Sequence, residues 1–325
     1  MASDLFLSRE LAALGNGISI TCLDIGARGG IVQDLTPLAR LINAVGFEPD
    51  TEECRLLNLG VSDTEHWKSI QYLPIALGCH GTRKLKLYRQ RGCSSMLDAD
   101  TVLAAQFMRD KYYILDQEVS VHPVPLDLAA EQYGFTDASY IKIDIQGMEL
   151  DVFQSGEKLI SSEIFAIRSE VSFLPVYKNQ PLIWDICQHL AERDFIPVEF
   201  NELHSWRRYS MAKIPVLSKG DFPYSKGQLI HGDILFFKNV SAMPDSADDE
   251  IEKCIKGGLI AATYGFIDYS YALFSKANVA RTLLEKYGID GARFLAHVSG
   301  RMAKSHRIST FNNAINTIGR SWKLR

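Results

Sequence analysis

The stretch that most constrains the fold is Thr21–Gly30, TCLDIGARGG. An apolar run from Ile18 leads into Asp24, and the segment then breaks at Gly26, Gly29 and Gly30. This pattern predicts a buried strand, a tight glycine turn and the start of a helix, expected over Ile31 to Ala44. Glycine has no Cβ, so its backbone N–H groups can approach a ligand closely. Downstream, Val45–Asp50, VGFEPD, predicts a second short strand ending at Glu48, 24 residues after Asp24 (48 − 24). An acid at the end of the second strand of a βαβ unit is placed to accept hydrogen bonds from both hydroxyls of a ribose. The first expectation is therefore a nucleoside-containing cofactor at the carboxyl ends of parallel strands, held around Asp24, Gly26, Ala27, Gly30, Glu48 and Pro49.

The order of the glycines narrows the cofactor. A dinucleotide fingerprint needs G-x-G-x-x-G, and G-A-R-G-G from Gly26 fails at the second glycine. Asp24, two residues before Gly26, adds negative charge beside the ligand, which disfavours a pyrophosphate and suits a cationic or neutral group. S-adenosylmethionine, with a sulfonium, an ammonium and a ribose but no phosphate, meets these conditions. The pattern D-x-G-A-x-x-G followed by F-E-P resembles the FkbM family of S-adenosylmethionine-dependent methyltransferases.

A second stretch, Tyr140–Gly147 (YIKIDIQG), extends the resemblance. It reads as a strand ending at Asp144, followed by a helix over Met148–Leu159. The family pattern is K-I-D-x-E-G-x-E, and here Lys142, Ile143, Asp144, Gly147 and Glu149 match it, while Gln146 replaces the usual acid. If that acid bound a metal or acted as a base, the role is lost; if it only accepted hydrogen bonds, glutamine can partly stand in. The family also has a serine-rich turn where Gly92–Met96 lies, and a glutamate where Glu170 lies, in the strand predicted over Ile164–Phe173.

The resemblance implies an α/β fold with a doubly wound, seven-stranded Rossmann-like class I methyltransferase sheet whose last strand inserts antiparallel. Besides the strands already named, Trp67–Leu77, Ile196–Asn201 and Asp233–Lys238 complete that count. In this architecture an adenine ring lies against Ala76, Leu77 and Gly78. The family resemblance implies methyl transfer to a hydroxyl of a sugar, glycan precursor or secondary metabolite. An alcohol is a poor nucleophile until its proton leaves, so a base is expected close by. Asp144, at the end of the central strand, is the first candidate base as well as a cofactor neighbour; Glu170 and Glu149 come second. His80 and His122 also titrate in the right range. Asp144 and Glu170 can instead hold Mg²⁺ through oxygen ligands, a reading ranked below the direct base because no fixed ligand spacing supports it.

The rest of the sequence bounds the setting. The net charge of −4 gives no global attraction to nucleic acid or to anionic lipid. Six scattered cysteines form no C-x-x-C, which fits buried free thiols in a reducing compartment, so the cytoplasm is the expected place. The N-terminal stretch lacks the pattern of a signal peptide, and no apolar run is long enough for a membrane span. Asn201–Gly227 is cationic and aromatic and can form a lid that suits a sugar ring or an anionic group. Ser241–Glu250 reads as an acidic linker, dividing a cofactor-binding domain over 1–240 from a helical extension over 241–325, accessory or oligomer-forming. The aromatics of Tyr264–Phe274 suit a core or an interface between copies. Two other classes stay open. One is an NAD-dependent oxidoreductase or epimerase, for which Tyr209–Lys213 matches the tyrosine–lysine pair by spacing alone. The other is a non-catalytic cofactor- or partner-binding module, which Gln146 leaves open.

Overall fold

A computed structural model of the chain describes residues 5–60, 66–208 and 224–304. Helix α1 (Ser8–Gly15) precedes strand β1 (Ile20–Ile25), which is buried at all six positions, as a parallel strand covered on both faces must be. The chain continues through β2 (Ile42–Phe47), α2 (Thr51–Leu59), β3 (Ser69–Leu73), β4 (Arg83–Tyr88), α3 (Thr101–Gln106), β5 (Leu115–Val121) and α4 (Leu126–Tyr133). Then come β6 (Ala138–Ile143), α5 (Glu149–Ser155), α6 (Glu157–Ser162), β7 (Ala166–Ser172), α7 (Ile183–Ala191), β8 (Phe195–Trp206) and β9 (Gln228–Lys238). Helices α8 (Asp248–Tyr264), α9 (Ile267–Phe274) and α10 (Ala277–Tyr287) follow, and residues 291–304 are helical.

Seven strands form one sheet in the order β3-β2-β1-β6-β7-β9-β8. The first five are parallel, and β9 inserts antiparallel between β7 and β8. This is the class I methyltransferase sheet expected from the sequence. The order reverses at β1, so the carboxyl ends of β1 and β6 open a crevice between connections that run to opposite sides. Strands β4 and β5 pair apart as an antiparallel hairpin.

Two helix expectations are corrected. The helix expected over Ile31–Ala44 is only a 3-10 turn, Thr36–Leu41, and β2 already begins at Ile42. Pro37 has no N–H donor and its ring crowds the preceding turn, so an α-helix begun at Ile31 cannot propagate through it, while Pro37 is tolerated at the start of the 3-10 turn. The helix expected over Met148–Leu159 is two short helices that meet at Gly156. The linker is partly ordered: Asn239 accepts from the Ser241 N–H, and Glu250 accepts from the Ser246 and Ala247 N–H groups, capping α8. The cationic stretch expected as a lid begins inside β8, which runs on to Trp206; its residues 209–223, the Tyr209–Lys213 pair among them, lie outside the described residues, as does 305–325.

Each face of the sheet carries its own core. One is built on Leu23, Ile25, Ile141, Ile143 and Ile167 and covered by α4 to α7. The other is built on Ile20, Cys22, Tyr140, Phe165 and Phe237 and covered by α8 to α10 together with α1. The aromatic run at Tyr264–Phe274 is mostly core: Leu273 and Phe274 are buried and Tyr264 stacks on Tyr140, while Tyr271 is exposed. No helix among the described residues is long and apolar enough to cross a membrane.

Candidate functional site

The glycine turn is shaped first by the protein's own backbone. Gly26 has φ +88°, and a Cβ built on it would lie 2.2 Å from the Asp144 carbonyl oxygen. Only glycine lets the end of β1 approach the end of β6 this closely. The Gly26 and Ala27 N–H groups both donate to the Phe47 carbonyl, and the Asp144 N–H donates to the Ile25 carbonyl. Three strand ends are thereby tied together around one opening.

That opening is a cleft of about 280 Å³. Of the residues expected around the cofactor, Gly26, Glu48, Pro49, Ala76, Leu77 and Asp144 line it. Asp24, Ala27 and Gly30 are not in its lining. Asp24 is 1% exposed; it accepts from the Val32 N–H at 2.7 Å and faces the Lys142 ammonium at 3.5 Å, so it braces the glycine turn from inside. Burial pushes its carboxyl up, and the charge of Lys142 opposes that shift. Glu48 is also buried; it accepts from the Asp50 N–H at 2.9 Å and pairs with the Arg28 guanidinium at 3.4 Å. Phe47, Ile75, Leu77 and Ile145 make the cleft wall partly apolar, and the β4 residues Leu85 and Leu87 add to it. The serine-rich turn contributes Ser94 to the lining, while Ser95 is buried and donates to the Gln146 carbonyl.

Beyond Asp144 lies a cluster of acids. Asp144, Glu149 and Glu170 bring carboxylate oxygens within 4.8 Å of one another. The Gln146 amide nitrogen stands between two of them, 2.8 Å from Asp144 Oδ1 and 2.9 Å from Glu170 Oε2. Its oxygen accepts from the Tyr177 hydroxyl at 3.0 Å, which fixes the amide orientation. Gln146 holds this pose from the left-handed region, φ +58°. Glu149 accepts from the Ile145 and Gly147 N–H groups, and burial pushes its carboxyl up to about 7. Glu170 pairs through its other oxygen with His231 Nδ1 at 3.0 Å; burial, with the charges of Asp144 and Glu149, raises it well above the usual range. His231 stacks on His204 at 4.6 Å, and burial lowers its pKa.

These donors do not suit a shared cation. The position between Asp144 and Glu170 is filled by an amide nitrogen, and Glu149 is taken up by backbone N–H groups. These acids are hydrogen-bonded from within by neutral donors. His80 and His122 are exposed and stand outside this cluster.

The model of the methyltransferase FkbM domain matches residues 24–197. The chain belongs to that family. The matched span runs from Asp24, at the glycine turn, to the start of β8, and takes in Glu48, Asp144, Gln146 and Glu170. A comparison with curated proteins finds no match. Among solved structures, similar chains include a proposed RNA methyltransferase from Pyrococcus horikoshii, at 10% identity and TM-score 0.33 over 73% of this chain and 83% of that one. A proposed tRNA (m1A22) methyltransferase from Streptococcus pneumoniae, in complex with S-adenosyl-L-methionine, matches at 12% identity and TM-score 0.31 over 90% and 100%. TrmK of M. capricolum, in complex with S-adenosyl-homocysteine, matches at 8% identity and TM-score 0.32 over 90% and 99%.

Several site residues escaped the sequence reading. Arg28 sits inside the glycine motif yet was read only as a spacer. Leu85 and Leu87 belong to KLKLY, whose alternation marks an apolar strand face but not a cleft wall. The contacts of Tyr177 and His231 are long-range and leave no local signal.

Proposed function

We propose that this methyltransferase uses S-adenosylmethionine and methylates a hydroxyl of a sugar, glycan precursor or secondary metabolite. The observation that carries the reading is that two carboxylates, Glu48 and Asp144, line the same partly apolar cleft at the sheet's switch point. The residues present fit the cofactor. Glu48 would accept the ribose hydroxyls, Phe47, Ile75 and Leu77 would flank the purine, and a lining of two carboxylates (Glu48, Asp144) and three cations (Arg28, Arg91, Lys142) would meet both the ammonium and the carboxylate of this zwitterionic ligand. When bound, the cofactor supplies an electrophilic methyl group. The protein's task is then alignment and removal of the acceptor proton. Asp144 is the group proposed to take that proton, because it lines the cleft while Gln146 fixes its orientation. Glu149 and Glu170 are bound up in internal hydrogen bonds and rank behind it. All six cysteines are free, which suits a reducing compartment such as the cytoplasm.

The test is calorimetric titration with S-adenosylhomocysteine, with NAD⁺ in parallel. Binding of the first and not the second supports the reading. Binding of NAD⁺ alone overturns it, and binding of neither moves weight to a non-catalytic module.

A further inference from the structure

We propose that a second cleft, at the open end of the β8–β9 pair, is an anion subsite for the acceptor, and that the acceptor is a phosphorylated sugar. This rests on the methyltransferase reading above and adds the substrate class. The cleft measures about 410 Å³, and its walls include Phe107, Trp206, Arg207, Arg208 and Lys226. Three cations and two aromatic rings line it, and among the described lining residues there is no carboxylate.

Many guanidinium groups of the fold face acids: Arg28 faces Glu48 and Asp50, Arg83 faces Asp151, Arg168 faces Asp34 and Asp233, and Arg193 faces Glu157. Those around this cleft face none among the described residues, and Arg109 beside it lies over Tyr112 and Trp206. Here Arg207 donates its Nε–H to the Ser225 carbonyl at 2.7 Å, which anchors the side chain, and among the described residues its terminal amino groups face no carboxylate. Arg208 lies over the Phe107 ring at 5.0 Å and hydrogen-bonds the neutral Gln106 amide. Lys226 is exposed and has no hydrogen-bond or ion-pair partner among the described residues. Three cations with no carboxylate among the described lining residues, in a chain of net charge −4, mark a local site for an anion. A guanidinium fork matches a phosphate in geometry as well as charge.

The rings supply the rest. Trp206 stands edge-on to Phe107 at 5.7 Å, so its position is set by packing, and it lines the cleft. A rigid aromatic wall with a cationic rim suits a sugar ring carrying a charged substituent. A chain of side-chain contacts runs from the cleft wall to the acid cluster. Trp206 meets the His231 ring at 6.3 Å, His231 Nδ1 meets Glu170 at 3.0 Å, and Glu170 and Asp144 share the Gln146 amide. An acceptor with its phosphate among the cations would lie at the same edge of the sheet that carries Asp144.

The experiment titrates the full chain, saturated with S-adenosylhomocysteine, with glucose 1-phosphate, glucose and a short single-stranded RNA, at low and high salt. Glucose 1-phosphate is expected to bind about tenfold or more tightly than glucose and to weaken with salt. Arg208→Gln and Lys226→Gln are each expected to weaken it by about tenfold, with S-adenosylhomocysteine affinity and melting temperature unchanged. Equal affinity for glucose and its phosphate overturns the subsite, as do variants that bind like the parent. RNA binding tighter than the sugar phosphate, and lost in the same variants, also overturns it in favour of a nucleic-acid acceptor. If S-adenosylhomocysteine does not bind but the phosphate preference survives, the cofactor reading falls and the subsite stands.

Discussion

At the scale of single residues, the site separates carboxylates that face the cleft from carboxylates that hold it together. Glu48 and Asp144 line the cleft; Asp24 and Glu149 brace the two turns beside it. Glu48→Ala is therefore expected to weaken S-adenosylhomocysteine binding by about tenfold to a hundredfold, the loss of one or two charge-assisted hydrogen bonds. Asp144→Asn retains an acceptor for the Gln146 amide, so binding should stay within about tenfold while turnover falls by roughly 10²- to 10⁴-fold, as for loss of a general base. Calorimetry and single-turnover methyl transfer separate the two; an Asp144→Asn chain that turns over normally sinks the base assignment. Glu149 has a different signature. Its folded carboxyl titrates at about 7 against an ordinary 4.5, so the folded chain keeps a proton that the unfolded chain has released. The stability from this group is full below about 4.5 and is lost as pH rises through about 7. Glu170 is raised as well and acts with the same sign. Glu149→Gln can still accept one backbone N–H, and urea unfolding across that window should show a shallower fall in stability for the variant than for the parent.

At the scale of elements, the parallel strands were legible because each is a short apolar run closed by a polar or glycine signal. The ends of β1, β2 and β6, where Asp24, Glu48 and Asp144 stand, follow from those runs. The crossover between β1 and β2 misled because Ile31–Ala44 is rich in apolar residues, and that richness serves burial against α8 to α10, not a helical face. The β8–β9 pair was read short because its outer residues, Glu202, Leu203 and His204, are exposed and carry no inward alternation. The Gln146 bridge was beyond reach: its partners Glu170 and Tyr177 lie 24 and 31 residues away, and only the fold brings them together. One element contact makes a sharp prediction. A Cβ on Gly258 of α8 would lie 2.2 Å from Phe274 Cε1 of α9. Helix propensity favours alanine over glycine by about 1 kcal/mol, and overpacking a buried ring costs about 1–3 kcal/mol, so Gly258→Ala should be net destabilising. Phe274→Leu in the same chain should recover part of the loss, and a double-mutant cycle on unfolding free energies reads the coupling. Additive effects would mean that the two helices do not meet at that point.

At the scale of the whole molecule, the question is whether the last helices are an accessory or part of the fold. The family match ends at residue 197, and the acidic stretch before α8 has the composition of a linker. The packing argues the other way. Tyr140, Leu235 and Phe237 on the sheet, and Phe165 just before β7, are buried in one core with Ile255, Leu259 and Leu273 of α8 and α9. The Tyr264 hydroxyl of α8 donates to Asp34 at 2.7 Å, and Asp34 also holds Arg168 of β7. With only a 3-10 turn between β1 and β2, little else is available to cover that face. Four large side chains returned to water at about 2 kcal/mol each amount to about 8 kcal/mol, the size of a typical domain's whole stability of about 5–15 kcal/mol. A chain cut after residue 247 is therefore expected to lose cooperative unfolding, to bind a hydrophobic dye and to lose affinity for S-adenosylhomocysteine. Circular dichroism melts and dye fluorescence on the cut and full chains check this. A cut chain that melts cooperatively and binds S-adenosylhomocysteine like the full one would make residues 248–325 a separable appendage, and their burial against the sheet a docking contact between two independently stable parts.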